Sequence, residues 1–232
     1  MYLLTETASP FALERWAAFF ANFGQFAKGF LYTLGISIGA LIVALLLGLI
    51  FGAMSSTHNK VLRGISRVYV EIFQNTPLLV QFVVVFYGIS ILTDGHVMIP
   101  ISLTAILCVG VYTGAYISEI IRTGIEAVPK GQTEAALSQG FTYADTMRII
   151  ILPQAVRTIL PPLTNQVVNL IKNTSTVAII SGADIMFTAK AWAYDTTNYV
   201  PAFAGAAFLY FIMCFPLATW ARRKEEENKK AY

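Results

Sequence analysis

Long uncharged runs alternate along this chain with short intervals that hold nearly all of its lysine and arginine. From Gly29 to Met54 no residue is charged, a run of about 26 residues, enough at 1.5 Å per residue for a hydrocarbon core of about 30 Å. A second run, Ile72 to Leu92, carries Glu71 at its edge and Pro77 a few residues in. The missing N–H of Pro77 predicts a kink inside that helix, with Asn75 and Thr76 placed to satisfy the freed backbone groups. A third run extends from Ile101 to about Ile121 and ends at Arg122. The fourth, Thr158 to Ala183, is apolar except for Asn165, Asn169, Lys172 and Thr176, whose spacing of 4, 3 and 4 puts them on one helix face. Pro161 and Pro162 predict the start of that helix. Pro201 to Ala221 is the fifth run.

The pattern therefore predicts an all-α membrane protein with five transmembrane helices, at about 29–54, 70–92, 100–121, 158–183 and 200–221. Residues 1–28 read as an extracytoplasmic segment with no cleavable signal, in which Trp16, Phe19, Phe20, Phe23 and Phe26 form one face of an amphipathic interfacial helix. Asp184 to Val200 reads as an external loop or interfacial helix, and 223–232 as a charged cytoplasmic tail. Gly35, Gly39 and Gly48, with Ser37 and Ala40, permit close helix contact in the first span.

Composition agrees with this picture: 56% of the 232 residues are hydrophobic and 12% charged, with mean hydropathy +0.63, against roughly 25% charged in soluble domains. A net charge of +3 is too small to argue for nucleic acid, so the placement of the basic residues reports orientation instead. Lys60, Arg63, Arg67, Arg122, Lys130, Arg148, Arg157, Arg222, Arg223, Lys224, Lys229 and Lys230 fall on one side, against Arg15, Lys28 and Lys190 on the other. That bias puts the N-terminus outside and the C-terminus in the cytoplasm. Cys108 and Cys214 sit in separate apolar runs and suggest neither a metal site nor a disulfide.

Two features carry candidate chemistry. Lys172 lies well inside a span, where a lysine costs about 2.5 to 3.5 kcal/mol on insertion scales. It either faces a water-filled pathway with Asn165, Asn169 and Thr176, or snorkels, or pairs with Glu71 or Glu119 inside the bundle. Asn173 to Thr176 are weak helix formers, so the helix loosens there and exposes carbonyls. Glu119 shares a face with Tyr112 and Tyr116, and pairs locally with Arg122 or lines the same pathway.

The second feature is the cytoplasmic interval 123–157. Glu134-Ala135-Ala136-Leu137-Ser138-Gln139-Gly140 predicts a short helix from about Pro129 to Gln139 with Gly140 in the left-handed C′ position. A second helix is expected from about Tyr143 to Leu152, with Thr142 as its N-cap and Asp145 as the N3 partner. Ala135 and Ala136 leave a flat face on which a partner's groove can close.

These residues resemble the permease subunits of type I ATP-binding-cassette importers, whose hallmark is Glu-Ala-Ala, three residues, Gly, nine residues, Ile, one residue, Leu-Pro. Glu134, Ala135, Ala136, Gly140, Ile150, Leu152 and Pro153 match each position. The resemblance extends from about Gly29 to Arg222. The segments Asn75 to Gln81, Gly114-Ala115-Tyr116, Val128 to Gln132 and Lys172 to Ser175 are similar to the polar amino-acid branch, which includes histidine, glutamine, arginine and glutamate permeases. The resemblance implies a type I permease fold with a cytoplasmic coupling helix between spans 3 and 4, and assigns ATPase coupling to Glu134, Ala135, Ala136 and Gly140.

It further implies a bacterial inner-membrane location and a second permease subunit, identical or homologous. Two ATPase subunits holding ATP and Mg and an extracytoplasmic amino-acid-binding protein complete the expected assembly. Where the family often has an arginine before the Asn/Gly-Thr-Pro segment, this chain has Gln74. No lysine follows a glycine, so a Gly-Lys-Ser/Thr phosphate loop is lacking and the chain is expected to be a transport subunit without cofactor or catalytic residues of its own. The alternative class is an ATP-independent secondary transporter or channel, which explains the polar stripe but leaves the Glu-Ala-Ala segment idle. A membrane-anchored enzyme lacks a nucleophile, base and orienter set.

Overall fold

The computed structural model describes residue 9 and residues 11–230; residues 1–8 and 10 of the leading segment, residues 231–232 and the tail side chains at 224, 225 and 227–230 lie outside the description. Among the described residues every regular element is helical. Helix α1 (Leu13–Ala21) leads into α2 (Phe23–Ser55), and α3 (Lys60–Gln74) is followed by α4 (Leu78–Val83), a π-helical turn (Val84–Gly88) and α5 (Ile89–Leu92). Next come α6 (Ile101–Glu126), α7 (Lys130–Ser138), α8 (Tyr143–Asp145), a second π-helical stretch (Thr146–Ile151) and α9 (Leu152–Asn173). A 3-10 segment (Thr174–Ile180), α10 (Ile185–Thr196) and α11 (Tyr199–Lys230) complete the order. By length and apolarity α2, α6 and residues Tyr199–Arg223 of α11 can each cross a membrane, and a fourth crossing results if α3 and α4–α5 are taken as one broken span.

The central packing is α2 against α6. Lipid tails are as apolar as leucine, so helices associate in a membrane through close backbone approach rather than through escape from water. In α2 the residues facing inward recur every four positions, Ile36, Ala40, Ala44, Gly48 and Gly52, and all but the first are small. A Cβ on Gly48 would stand 2.4 Å from Ile117 Cγ2, and one on Gly110 of α6 would stand 2.7 Å from Val43 Cβ. Gly39 is in similar contact with Ile106, whereas Gly35 faces open space, so two of the three glycines expected at a contact are at one.

Four expectations from the sequence change. The second span is not one kinked helix: α3 and α4–α5 meet at 96°, and Pro77 is the N-cap of α4 rather than an interior residue. The kink becomes a break because Asn75 and Thr76 close off α3, donating to Glu71 O (2.8 Å) and Ile72 O (2.7 Å). Gln81 Nε2 covers Phe73 O (3.2 Å) and Thr76 O (3.0 Å), so the open ends cost few unmade hydrogen bonds.

Pro161 and Pro162 do not start a helix; they lie inside α9, which is continuous from Leu152. The five aromatic residues near the N-terminus do not form one interfacial face, because the helix changes at Asn22. Phe19 and Phe26 are buried against Trp192 while Phe20 and Phe23 stay exposed. Finally, of the external loop or interfacial helix expected after Asp184, the loop is ruled out: α10 is a helix that packs against α2 and α11, burying Ile185, Ala189, Trp192 and Ala193. The 3-10 segment begins at Thr174, where weak helix formers predict loosening.

Candidate functional site

Three places bring functional side chains together. The first is α7 with its exit turn. Gly140 has φ +88, a conformation open to glycine at little steric cost, and its N–H bonds to Leu137 O while that of Phe141 reaches Ala136 O. This pair of bonds is a Schellman stop, which satisfies the last carbonyls of α7 and turns the chain sharply. Thr142 then caps α8, its Oγ1 accepting from Asp145 N at 3.2 Å and donating to the Asp145 carboxylate at 2.5 Å. Helix α7 packs on the following π stretch and buries Ala136, so Ala136 does not join Ala135 in the open flat face expected of the pair, whereas Glu134, Ala135, Leu137 and Gly140 are exposed. Leu137, Phe141 and Tyr143 add an apolar rim to that surface, a feature sequence reasoning overlooked although apolar residues in a charged interval signal it.

The second place is a cavity of about 300 Å³ between the C-terminal end of α9 and helices α10 and α11. Lys172 and Ser175 supply its polar wall together with Tyr210, and Met186 and Phe203 its apolar one. Lys172 is exposed and makes no ion pair with Glu71 or Glu119, so the expectation of a carboxylate partner within the bundle is not met in this chain. Asn165 and Asn169 are exposed along the same helix, and Thr176 is half-buried in the 3-10 segment. Behind Tyr210 lies Asp184, fully buried, accepting from Phe187 N (2.9 Å), Met186 N (3.1 Å) and Tyr210 Oη (2.9 Å). The adjacent Ile185 N donates to Thr33 Oγ1 at 3.1 Å, so this junction ties α10 to both α2 and α11. Sequence reasoning placed Asp184 at the start of an external loop or interfacial helix and gave it no role; an aspartate directly before an apolar run was the N-cap signal that marks it.

The third place is a cavity of about 680 Å³ where α3 meets the end of α6. Lys60, Arg63, Arg67 and Gln74 of α3 line it opposite Glu119 and Arg122. Glu119 is committed to Arg122, whose Nε donates to it at 2.9 Å and whose Nη1 pairs with Glu126 at 2.5 Å. Tyr112 and Tyr116 share its face, their hydroxyls 3.1 Å apart. Gln74 donates to Ala115 O at 3.2 Å and so joins α3 to α6. Within one chain, therefore, Glu119 and Lys172 line separate cavities.

Known proteins give the same arrangement a family. The chain is similar to the probable glutamine ABC transporter permease protein GlnM of Bacillus subtilis, 37% identical over 216 residues, covering 92% of this chain and 97% of that one. It is 33% identical over 208 residues to the glutamate/aspartate import permease protein GltJ of Escherichia coli K12, covering 82% and 85%. Among solved structures, the crystal structure of an amino acid ABC transporter with histidines superposes with a TM-score of 0.84 at 31% identity, covering 91% of this chain and 98% of the other. The match of residues 44–225 to the binding-protein-dependent transport system inner membrane components completes the case, and the chain belongs to that family.

Proposed function

We infer that this chain is the membrane-spanning permease subunit of an ATP-driven importer that moves a polar or charged amino acid into the cell. The observation that carries this reading is the exposed Glu134 to Gly140 segment: a short helix, stopped by a Schellman turn, offered to a partner by a protein of the binding-protein-dependent family. Glu134, Ala135 and Gly140 are the docking residues, with Ala136 buried beneath them as support, and the partner is a separate ATPase that holds ATP and Mg. The chain crosses the inner membrane five times with its N-terminus outside. The basic bias of the α2–α3 connection, the 123–157 interval and the tail supports that orientation.

Two permease subunits, identical or homologous, surround the pathway, and an extracytoplasmic binding protein delivers the amino acid. Lys172 meets its carboxylate, and Asn165, Asn169 and Thr176 hydrogen-bond its polar groups. Glu119, held by Arg122, contributes charge on the cytoplasmic side. Closure of the two ATPases draws the α7 helices together, and each α7 passes the motion to α6 and α9.

Purification of the chain with its native partners tests this. An ATPase subunit should co-purify, and proteoliposomes holding the complex should accumulate amino acid only with ATP and the binding protein. Uptake by the chain alone would refute the reading.

A further inference from the structure

The Ile150-x-Leu152-Pro153 half of the motif lies beyond α7, where the chain does something unusual. Between α8 and α9 the helix widens into a π stretch, Thr146–Ile151. At its end the N–H of Leu152 reaches back five residues, to Met147 O, in place of the usual four. Pro153 follows immediately. In an unbroken α-helix the ring of Pro153 would press on the carbonyl four residues back, that of Ile149, and no N–H would be there to pair with it. In the widened turn that carbonyl is displaced, and the change of register from five back to four back falls on the one residue that has no N–H to lose. Gln154 then covers the next carbonyl, its Nε2 donating to Ile150 O at 2.8 Å.

We propose that Pro153 is a positioning residue that holds the π stretch open and so sets the rotational phase between α7 and the Lys172 face of α9. The inference rests on the reading of α7 as the coupling helix. A π turn accommodates one residue more than the α-helical turn it replaces. Closing it to α geometry would therefore turn everything before it by about 100° and shift it by about 1.5 Å relative to α9. The segment before it cannot absorb that rotation freely. Thr146 is buried with its hydroxyl on Thr142 O, α7 packs on the same stretch with Ala136 buried, and Tyr143 meets the His58 ring edge-on at 5.0 Å. A misphased joint thus moves the docking surface away from its ATPase while α9 stays in place.

The test uses the full complex in proteoliposomes, with the amino acid moved per ATP as one readout. The other is the distance between spin labels at Ala144 and Val156, two exposed positions flanking the joint, in a background with Cys108 and Cys214 changed to alanine. Pro153→Ala restores an N–H and is expected to change that distance by on the order of 5 Å. Coupling should fall at least tenfold. Deleting Ile149 in the Pro153→Ala chain removes the extra residue and should restore both distance and coupling, which repair of mere packing damage would not do.

An unchanged distance in Pro153→Ala, coupling within twofold of wild type, or no recovery on deletion each overturns the proposal. If Pro153→Ala does not assemble, the deletion variant is still expected to assemble and couple, and its failure overturns it equally. The label distance is read without ATP or substrate. Wild-type complex that shows no ATP-driven uptake therefore counts against the transport reading, and an unmoved label against this one.

Discussion

Asp184→Ala probes the junction that sequence reasoning overlooked. Asp184 caps α10 through Phe187 N and Met186 N and accepts the Tyr210 hydroxyl, in a site with no solvent access. Loss of an aspartate N-cap costs about 0.5 to 2 kcal/mol. Leaving the inward-facing Tyr210 hydroxyl without its acceptor costs about 1 to 3 kcal/mol more. Removing a buried carboxylate returns part of this, so a net loss of about 1 to 4 kcal/mol is expected.

For a chain of this size that corresponds to about 2 to 16 °C in Tm, read by thermal unfolding of the purified protein in one detergent. Asp184→Asn keeps an acceptor oxygen and should lose less than half as much. A double-mutant cycle with Tyr210→Phe isolates the α10–α11 link, and a coupling energy of about 1 kcal/mol or more is expected from contacting residues. If the two substitutions add within about 0.3 kcal/mol, the junction does not depend on this hydrogen bond and the argument is refuted.

Other perturbations separate packing from coupling. Gly48→Val places a branched side chain where even a Cβ stands 2.4 Å from Ile117, so α2 and α6 must part; a cost of about 1 to 3 kcal/mol should lower Tm, and an unchanged Tm would show the seam to be loose. Gly140→Pro demands φ near −65° at a residue holding +88°, which should break the exit turn of α7. ATP-driven uptake should then be lost while the chain still inserts in the membrane, as shown by fractionation and protease accessibility. Lys172→Met should reduce substrate-stimulated ATP hydrolysis at least tenfold with little change in basal hydrolysis; equal stimulation would remove Lys172 from the pathway. Asn59→Ala removes the side-chain acceptor of Val61 N and Leu62 N at the start of α3, for an expected loss of about 1 kcal/mol by thermal unfolding.

What the chain determines locally is legible without a structure. The uncharged runs require helices because lipid offers no partner for open backbone groups, and they require it at any position in the fold. The stop at Gly140 and the Thr142 cap follow from conformations and hydrogen bonds within a few residues, as does the loosening at Thr174. The match of Glu134 through Pro153 to a family hallmark depends only on order and spacing.

The tertiary structure decided whatever depends on distant partners. Pro77 makes a 96° break rather than a kink because Gln81, a turn further on, supplies hydrogen bonds that let two helix ends open. Asp184 is an internal post because α2 and α11 close around it, and their approach is written nowhere near residue 184. Glu119 and Lys172 share a polar character in sequence but occupy separate cavities, since α6 and α9 turn their polar faces apart in a single chain. Propensity and patterning act over one or two turns of helix, while helix crossings are set by which small residues meet, and that is a property of pairs of elements.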